Sequence, residues 1–168
     1  MIALRLVRLI EAHSEELATD LIEKLQTSAR TRDLRKVPPA ELRSRIHEIL
    51  QHLSEWLLTK TDSDIQSRYR ELGARRAAQT VSISDQCWAV MLTKEHLWEF
   101  LQKQGFLRSP MEIYGEMELL RLLDQFFDRA LCYAVEGYQQ QAERESAATP
   151  EASSAWAERR VNAASWVP

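Results

Sequence analysis

EIYGEMELLRLLDQFFDRALCYAVEGYQQQAE, residues 112–143, decides the fold. Ile113, Met117, Leu120, Phe127, Leu131, Ala134 and Tyr138 recur at spacings of three, four and seven, which draws one apolar stripe along a long helix. Leu119, Leu123, Phe126, Ala130 and Cys132 widen the stripe until little of the middle is left for water. Asp124, Asp128 and Arg129 keep part of it wet. A helix this apolar on most sides is either the central rod of a bundle or one that also meets a second subunit. The expectation is an all-α protein collapsed around this segment.

The rest of the chain fits that reading. With only 4 Gly and 5 Pro among 168 residues, the turns that strands require are scarce, so an all-β fold is a poor match. A net charge of -3, from 22 basic and 25 acidic residues, gives no general pull toward nucleic acid or anionic lipid. Cys87 and Cys132 stand far apart with no C-x-x-C, which suits free, buried thiols in a reducing cytoplasm. The opening MIALRLVRLIEAHSEE carries Arg5, Arg8 and Glu11 inside its apolar pattern and reads as an amphipathic helix, not a signal peptide. No uncharged apolar run approaches the roughly 18 residues of a membrane span.

Four further helices are expected ahead of the central one. The first runs from about Ile2 to Ser28 with Leu6, Leu9, Ile10, His13, Leu17, Leu21 and Leu25 inward, and the helical period puts His13 at the core edge. Residues 29–37, dense in Arg and Lys, read as a solvated loop. Pro38-Pro39 starts a second helix that continues to about Leu58. On it Glu48, His52 and Glu55 share a face that reads as an exposed surface in preference to a weak metal site. Asp62 or Ser63 is expected to cap a third helix, Ser63 with Gln66 having capping-box spacing. Gly73, in mid-helix, predicts a close crossing or a kink, and Arg68, Arg70, Arg75 and Arg76 read as ion pairs on a wet face. Ser82 with Asp85 has the spacing of a second capping box, opening a fourth helix that Gly105 ends. From residue 144 the composition turns to Ala, Ser, Glu, Thr and Pro, so a helical domain over 1–143 is expected to be followed by a largely disordered tail over 144–168.

Known chemical signatures are missing: no phosphate-binding glycine loop, no nucleophile elbow, and no Glu at the E-x-x-H spacing ahead of any of the four histidines. The reading is therefore a non-catalytic protein with no cofactor and no metal. The short Thr80-Val81 break between helices three and four resembles a helix-turn-helix, but the helix lengths and acidic balance argue against DNA reading.

Five motifs in order give a more specific reading. They are LIEAHSEELA in the first helix, Pro-Pro-x-Glu-Leu-Arg from Pro38 to Arg43, and Arg-Glu-Leu-Gly-Ala-Arg-Arg-Ala-Ala-Gln from Arg70 to Gln79 followed by Val-Ser-Ile-Ser-Asp. The fourth is the Leu97-Trp98 pair, and the fifth is Phe-Phe-Asp-Arg-Ala-Leu from Phe126 ending in Glu136-Gly137-Tyr138. Their order over residues 1–143 resembles the N-terminal sensory domain of RsbRD-type co-antagonists of bacterial stress signalling, a domain also found ahead of sensor histidine kinases. The resemblance implies a five-helix, globin-like bundle without haem that dimerises and biases an output module. This chain ends in a polar tail where a STAS-type phosphoacceptor or kinase would follow, so output is expected to pass through a separate protein unless the chain is a truncated sensor.

The resulting expectation is a cytoplasmic signalling domain that acts by dimerisation and helix repacking. Phe126, Phe127, Ala130, Ala134 and Tyr138 are the candidate homodimer interface, since a stripe broader than one bundle face needs a second cover. The alternative is a haem- or small-ligand-binding globin-type sensor with His96 as the axial ligand.

Overall fold

The computed structural model describes residues 2–103 and 110–148, and within them every regular element is helical. In chain order these are α1 (Ile2–Ala12), α2 (Ser14–Thr27), a 3-10 segment (Ala29–Lys36), α3 (Pro39–Gln51), α4 (Leu53–Leu58), α5 (Asp62–Ala78), α6 (Ile83–Lys103) and α7 (Pro110–Ala148). The all-α expectation holds, with a long C-terminal helix at the centre. The expected turn at Gly105 lies outside the described residues. Helix α7 reaches Ala148, and the remainder of the segment read as a tail lies outside them too.

Two of the expected rods are bent, each at a histidine. At His13 (φ -108°, ψ 17°) the imidazole Nδ1–H donates to the Leu9 carbonyl at 2.9 Å, and that same oxygen accepts the His13 backbone N–H at 3.2 Å. A side chain bonding back to the carbonyl four residues earlier loosens the ladder and bends the helix. Here the bend separates α1 from α2, and the ring packs on Phe100 with centroids 5.4 Å apart. At His52 (φ -116°, ψ 29°) α3 stops and α4 begins. The Ser54 N–H exposed by that break donates to Glu11 Oε1 of α1 at 2.7 Å, so a residue more than forty positions away serves as the cap.

Other local expectations are corrected by longer-range partners. Thr61, not Asp62 or Ser63, caps α5: its hydroxyl accepts from the Asp64 N–H and the Asp64 carboxylate accepts from the Thr61 N–H, a complete capping box. Asp85 does not close a box with Ser82. Instead Asp33 of the 3-10 segment and Asp85 of α6 exchange roles: the Asp33 N–H donates to Asp85 Oδ2 at 2.8 Å, and the Ser82 N–H donates to Asp33 Oδ2 at 3.0 Å. The basic connector is thus an ordered 3-10 turn and not a solvated loop. Thr31, Leu34 and Val37 are buried beneath it, Thr31 Oγ1 donates to the Leu25 carbonyl, and the Arg30 guanidinium lies 3.9 Å over the Trp88 ring.

The core closes on the middle of α7. Leu119, Leu123, Phe126, Phe127, Ala130 and Ala134 are all buried, against Ala3, Leu6, Val7 and Ile10 of α1, Trp56 of α4 and Tyr69 of α5. Trp56, Tyr69 and Phe126 form an aromatic triangle with centroids 5.8 to 6.4 Å apart. The stripe does not stay covered to its end, however. Ile113 is 46% and Met117 60% exposed. A helix of 39 residues spans about 58 Å, whereas its main partner α5, with 17, spans about 25 Å, so the first turns of α7 outrun their neighbours. Cys132 is exposed and not a core thiol, while Cys87 is half-buried.

Candidate functional site

Helix α5 has two faces of opposite character, and together they make the site. One face meets α7 backbone to backbone. A Cβ added at Gly73 would lie 1.9 Å from the Ala134 carbonyl oxygen, and one added at Gly137 would lie 2.1 Å from the Arg70 carbonyl oxygen. The two glycines are reciprocal: each receives the backbone of the other helix. Gly73 therefore makes a close crossing, as its sequence position predicts. Gly137 is the partner that periodicity does not reveal, because a buried glycine adds nothing to an apolar stripe. Ala77, Ala130 and Ala134 continue the small-residue seam, all buried. Arg70 clamps its edge, donating from Nε and Nη2 to Glu136 Oε2 at 2.9 and 2.7 Å. Tyr133 Oη donates to Asp62 Oδ2 at 2.6 Å near the start of α5. Asp62 pairs with Tyr133 and Gly73 with Tyr138, so the two helices advance in the same direction.

The other face of α5 is loosely packed. Between it and α3 and α6 lies a cavity of about 80 Å³, walled by Ile46, Leu50, Tyr69, Arg76, Gln86, Val90 and Phe127 among others. Half-buried Arg45, Ile49, Leu72 and Thr93 also line it. Most of the wall is hydrocarbon, yet three polar side chains in it are almost fully withdrawn from water: Tyr69 at 3%, Arg76 at 2% and Gln86 at 4% exposed. The Tyr69 hydroxyl and the Arg76 Nε–H have no hydrogen-bond partner. A buried donor left unmatched costs about 1–3 kcal/mol, so two in one cavity are not a packing accident to be passed over. Burial pushes the Tyr69 phenol far above its ordinary range, so it stays an O–H donor.

Arg76 is half-satisfied. Its Nη1 donates to Glu41 Oε1 at 2.8 Å and to Gln79 Oε1 at 2.6 Å. Arg75 and Arg45 lean on the same carboxylate, their Nε atoms 3.0 and 3.5 Å from Glu41 Oε1. Desolvation pushes the Glu41 carboxyl up, but hydrogen bonds from Arg76 and Gln79 outweigh it and hold the group below its ordinary range. Three guanidiniums thus share one carboxylate at this wall. The wet face of ion pairs expected for α5 is real for Arg68, Arg70 and Arg75, which pair with Glu48, Glu136 and Glu41 on neighbouring helices. Arg76 departs from it by being buried.

The residues proposed from sequence as a second-subunit interface fall elsewhere. Phe126, Phe127, Ala130 and Ala134 are 0–4% exposed inside a single chain, and Tyr138 is half-buried beside Gly73. They are covered by α5, which seals the wide stripe that suggested another subunit. Among the described residues of α7, the large apolar groups left exposed are Ile113, Tyr114 and Met117, at 46, 74 and 60%. His96 is half-buried, not solvated, and faces the α2 side near Leu17, Asp20 and Lys24. Its Nε2 has no hydrogen-bond partner, and desolvation followed by the Lys24 charge holds the imidazole below its ordinary value. It does not line the cavity, which is far too small for a porphyrin. Glu48, His52 and Glu55 do not assemble into a metal site: Glu48 is taken by Arg68, and no cluster of three metal-ligating side chains occurs among the described residues.

The described residues thus form an all-helical domain in which a tight helix pair lies beside an under-packed, largely apolar cavity. The sequence pattern of the RsbT co-antagonist protein RsbRD N-terminal domain matches residues 15–153, and the chain belongs to that family. No curated protein and no solved structure matches it significantly.

Proposed function

We propose that this chain is a non-catalytic sensory domain of the partner-switching system of bacterial stress signalling, and that it reports by a change in helix packing to a separate kinase or STAS-type phosphoacceptor. Family membership supports the stress-signalling assignment. The observation that carries the mechanism is the asymmetry of α5. An occupant of the loose face alters the seat of α5, and the interlocked glycines pass that alteration to α7 as a rigid displacement. The polar groups gathered at the cavity are donors suited to holding a ligand: an arginine, a protonated phenol and an amide.

The dimer belongs to the same proposal, moved along α7 to its exposed first turns. Ile113, Tyr114 and Met117 form a strip at helical spacing on the part of α7 that outruns the bundle. Light scattering of the full chain tests it: a dimer at micromolar concentration that Met117→Glu turns into a monomer is the expected result, and a strict monomer removes the dimer. Co-purification from a lysate with a kinase or a STAS-type phosphoacceptor tests the output. Retention of that partner supports the assignment, and no retention from either class defeats it.

A further inference from the structure

We infer that the cavity beside α5 binds a small carboxylate with a short alkyl body, its anionic head on Arg76 and its apolar end among Ile46, Leu50 and Val90. This deepens the sensory reading above and takes its biological meaning from it, but the binding itself is tested separately.

The head is identified by what the wall lacks. Arg76 is buried, and its fully buried Nε–H has no acceptor. Guanidinium is donor-only, so the missing partner must supply lone pairs. Charge decides which kind. Arg45, Arg75 and Arg76 all draw on the single carboxylate of Glu41; Arg75 is half exposed and screened by water, but Arg45 and Arg76 line the cavity and leave its wall a surplus of positive charge where little water reaches. A second carboxylate corrects both deficits at once, accepting from Nε–H and balancing the surplus. The Glu48–Arg68 ion pair, toward the Tyr69 side, is internally balanced and adds no comparable field.

The body is identified by the remaining lining and by size. Apart from Arg45, Tyr69, Arg76, Gln86 and Thr93, the wall is apolar: aliphatic side chains and the ring of Phe127. At about 80 Å³ the space is roughly half that of an engineered cavity of about 150 Å³ that accepts benzene. Butyrate, with as many heavy atoms as benzene, fits only with its carboxylate end reaching into the open mouth beside Arg45, and longer acyl chains fit still less. Tyr69 stands seven residues before Arg76 on the same helix, about 10 Å along the axis, and so marks the far end of the cavity from the head. Its hydroxyl takes a water or a polar tail, not the carboxylate. Half-buried Arg45, Ile49, Leu72 and Thr93 form the mouth.

The test is methyl and amide NMR of the full chain titrated with sodium butyrate, sodium octanoate, neutral butanol and, for ionic strength, sodium chloride. Butyrate is expected to shift the resonances of Ile46, Leu50 and Val90 saturably, with butanol and octanoate each at least about tenfold weaker. Arg76→Lys, which keeps a cation for Glu41 but removes the guanidinium fork, is expected to weaken butyrate about tenfold or more. Ala89→Leu fills the cavity without touching a charge and is expected to abolish the shifts in a folded protein. Tyr69→Phe is expected to leave butyrate binding in place. The inference is overturned by a cavity holding water only, with no saturable shift. It is equally overturned by butanol binding as tightly as butyrate, or by unchanged shifts in Ala89→Leu. Binding with no effect on partner co-purification would overturn the sensory role and leave the ligand site standing.

Discussion

The two faces of α5 solve opposite problems with the same seventeen residues. Toward α7 the helix gives up its side chain at Gly73, so that carbonyls approach where a methyl group would collide. Toward α3 and α6 it keeps large side chains but leaves space between them, with a phenol and a guanidinium nitrogen unmatched. Close packing is intolerant of added volume, whereas a void tolerates it and is improved by the right occupant. The difference teaches where this domain can change and where it cannot. A ligand acts on the loose face, and the tight face has no slack in which the displacement could be lost.

Mutations can break this contrast, the largest effects falling on the tight face. Gly73→Ala and Gly137→Ala each bring a Cβ against backbone that no rotamer can move, so each is expected to cost more than about 3 kcal/mol in urea denaturation, although Ala is the better helix former by about 1 kcal/mol. A neutral or stabilising Gly73→Ala would mean the helices are not in backbone contact. At the charged edge of the cavity, Glu41→Gln strands the buried Arg76 guanidinium and is expected to cost about 2–4 kcal/mol. Acid reaches the same end in the wild type. The folded Glu41 pKa lies below its unfolded value of 4.5, so its contribution is present above pH 4.5 and is lost as pH falls through the folded value. Stability against pH should show a steeper acid limb below pH 4.5 in the wild type than in Glu41→Gln, and parallel limbs would refute the pairing.

The loose face should respond weakly or in the other direction. Tyr69→Phe removes an unsatisfied hydroxyl and is expected to raise stability or leave it within about 1 kcal/mol. A loss of several kcal/mol would show that the hydroxyl is bonded after all. The smallest effect lies at the end of α5. Thr80 takes φ 56° there, closing the helix while Val81 N–H bonds back to the Arg76 carbonyl at 3.0 Å. A β-branched residue in that region is strained, so Thr80→Gly should stabilise by about 1 kcal/mol in the same titration.

How much of this is legible in the chain follows from the range of the forces involved. Periodic burial is local, and leucine spacing places the inner faces of α1, α2 and α3; on α7 the stripe it draws begins with Ile113 and Met117, which are exposed, while Phe127 and Ala134 further along are buried. Gly73 announced a crossing because glycine within a good helix former needs a reason. What the sequence hides are partners distant along the chain. Glu11 capping Ser54, Asp33 trading caps with Asp85, and Glu41 gathering three arginines all join segments that periodicity treats separately. The bends at His13 and His52 were invisible because neither Pro nor Gly marks them; one follows from an imidazole bonding back along its own helix, the other from a cap supplied by α1. The wide stripe of α7 was misassigned to a second subunit for a related reason. Its cover, α5, is itself poor in large apolar residues, since it covers with backbone, and a backbone surface leaves no hydrophobic signature. The cavity left none either, because Tyr69 and Arg76 read as an aromatic core residue and a surface charge until the fold sets them at the two ends of one cavity wall.

Amide hydrogen exchange on the ligand-free full chain tests the contrast most directly. The account predicts the slowest exchange in residues 69–77 of α5 and 126–137 of α7, with residues 42–50 and 86–93 around the cavity opening markedly faster. Uniform protection across these four segments, or a cavity wall that outlasts the α5–α7 pair, would contradict it.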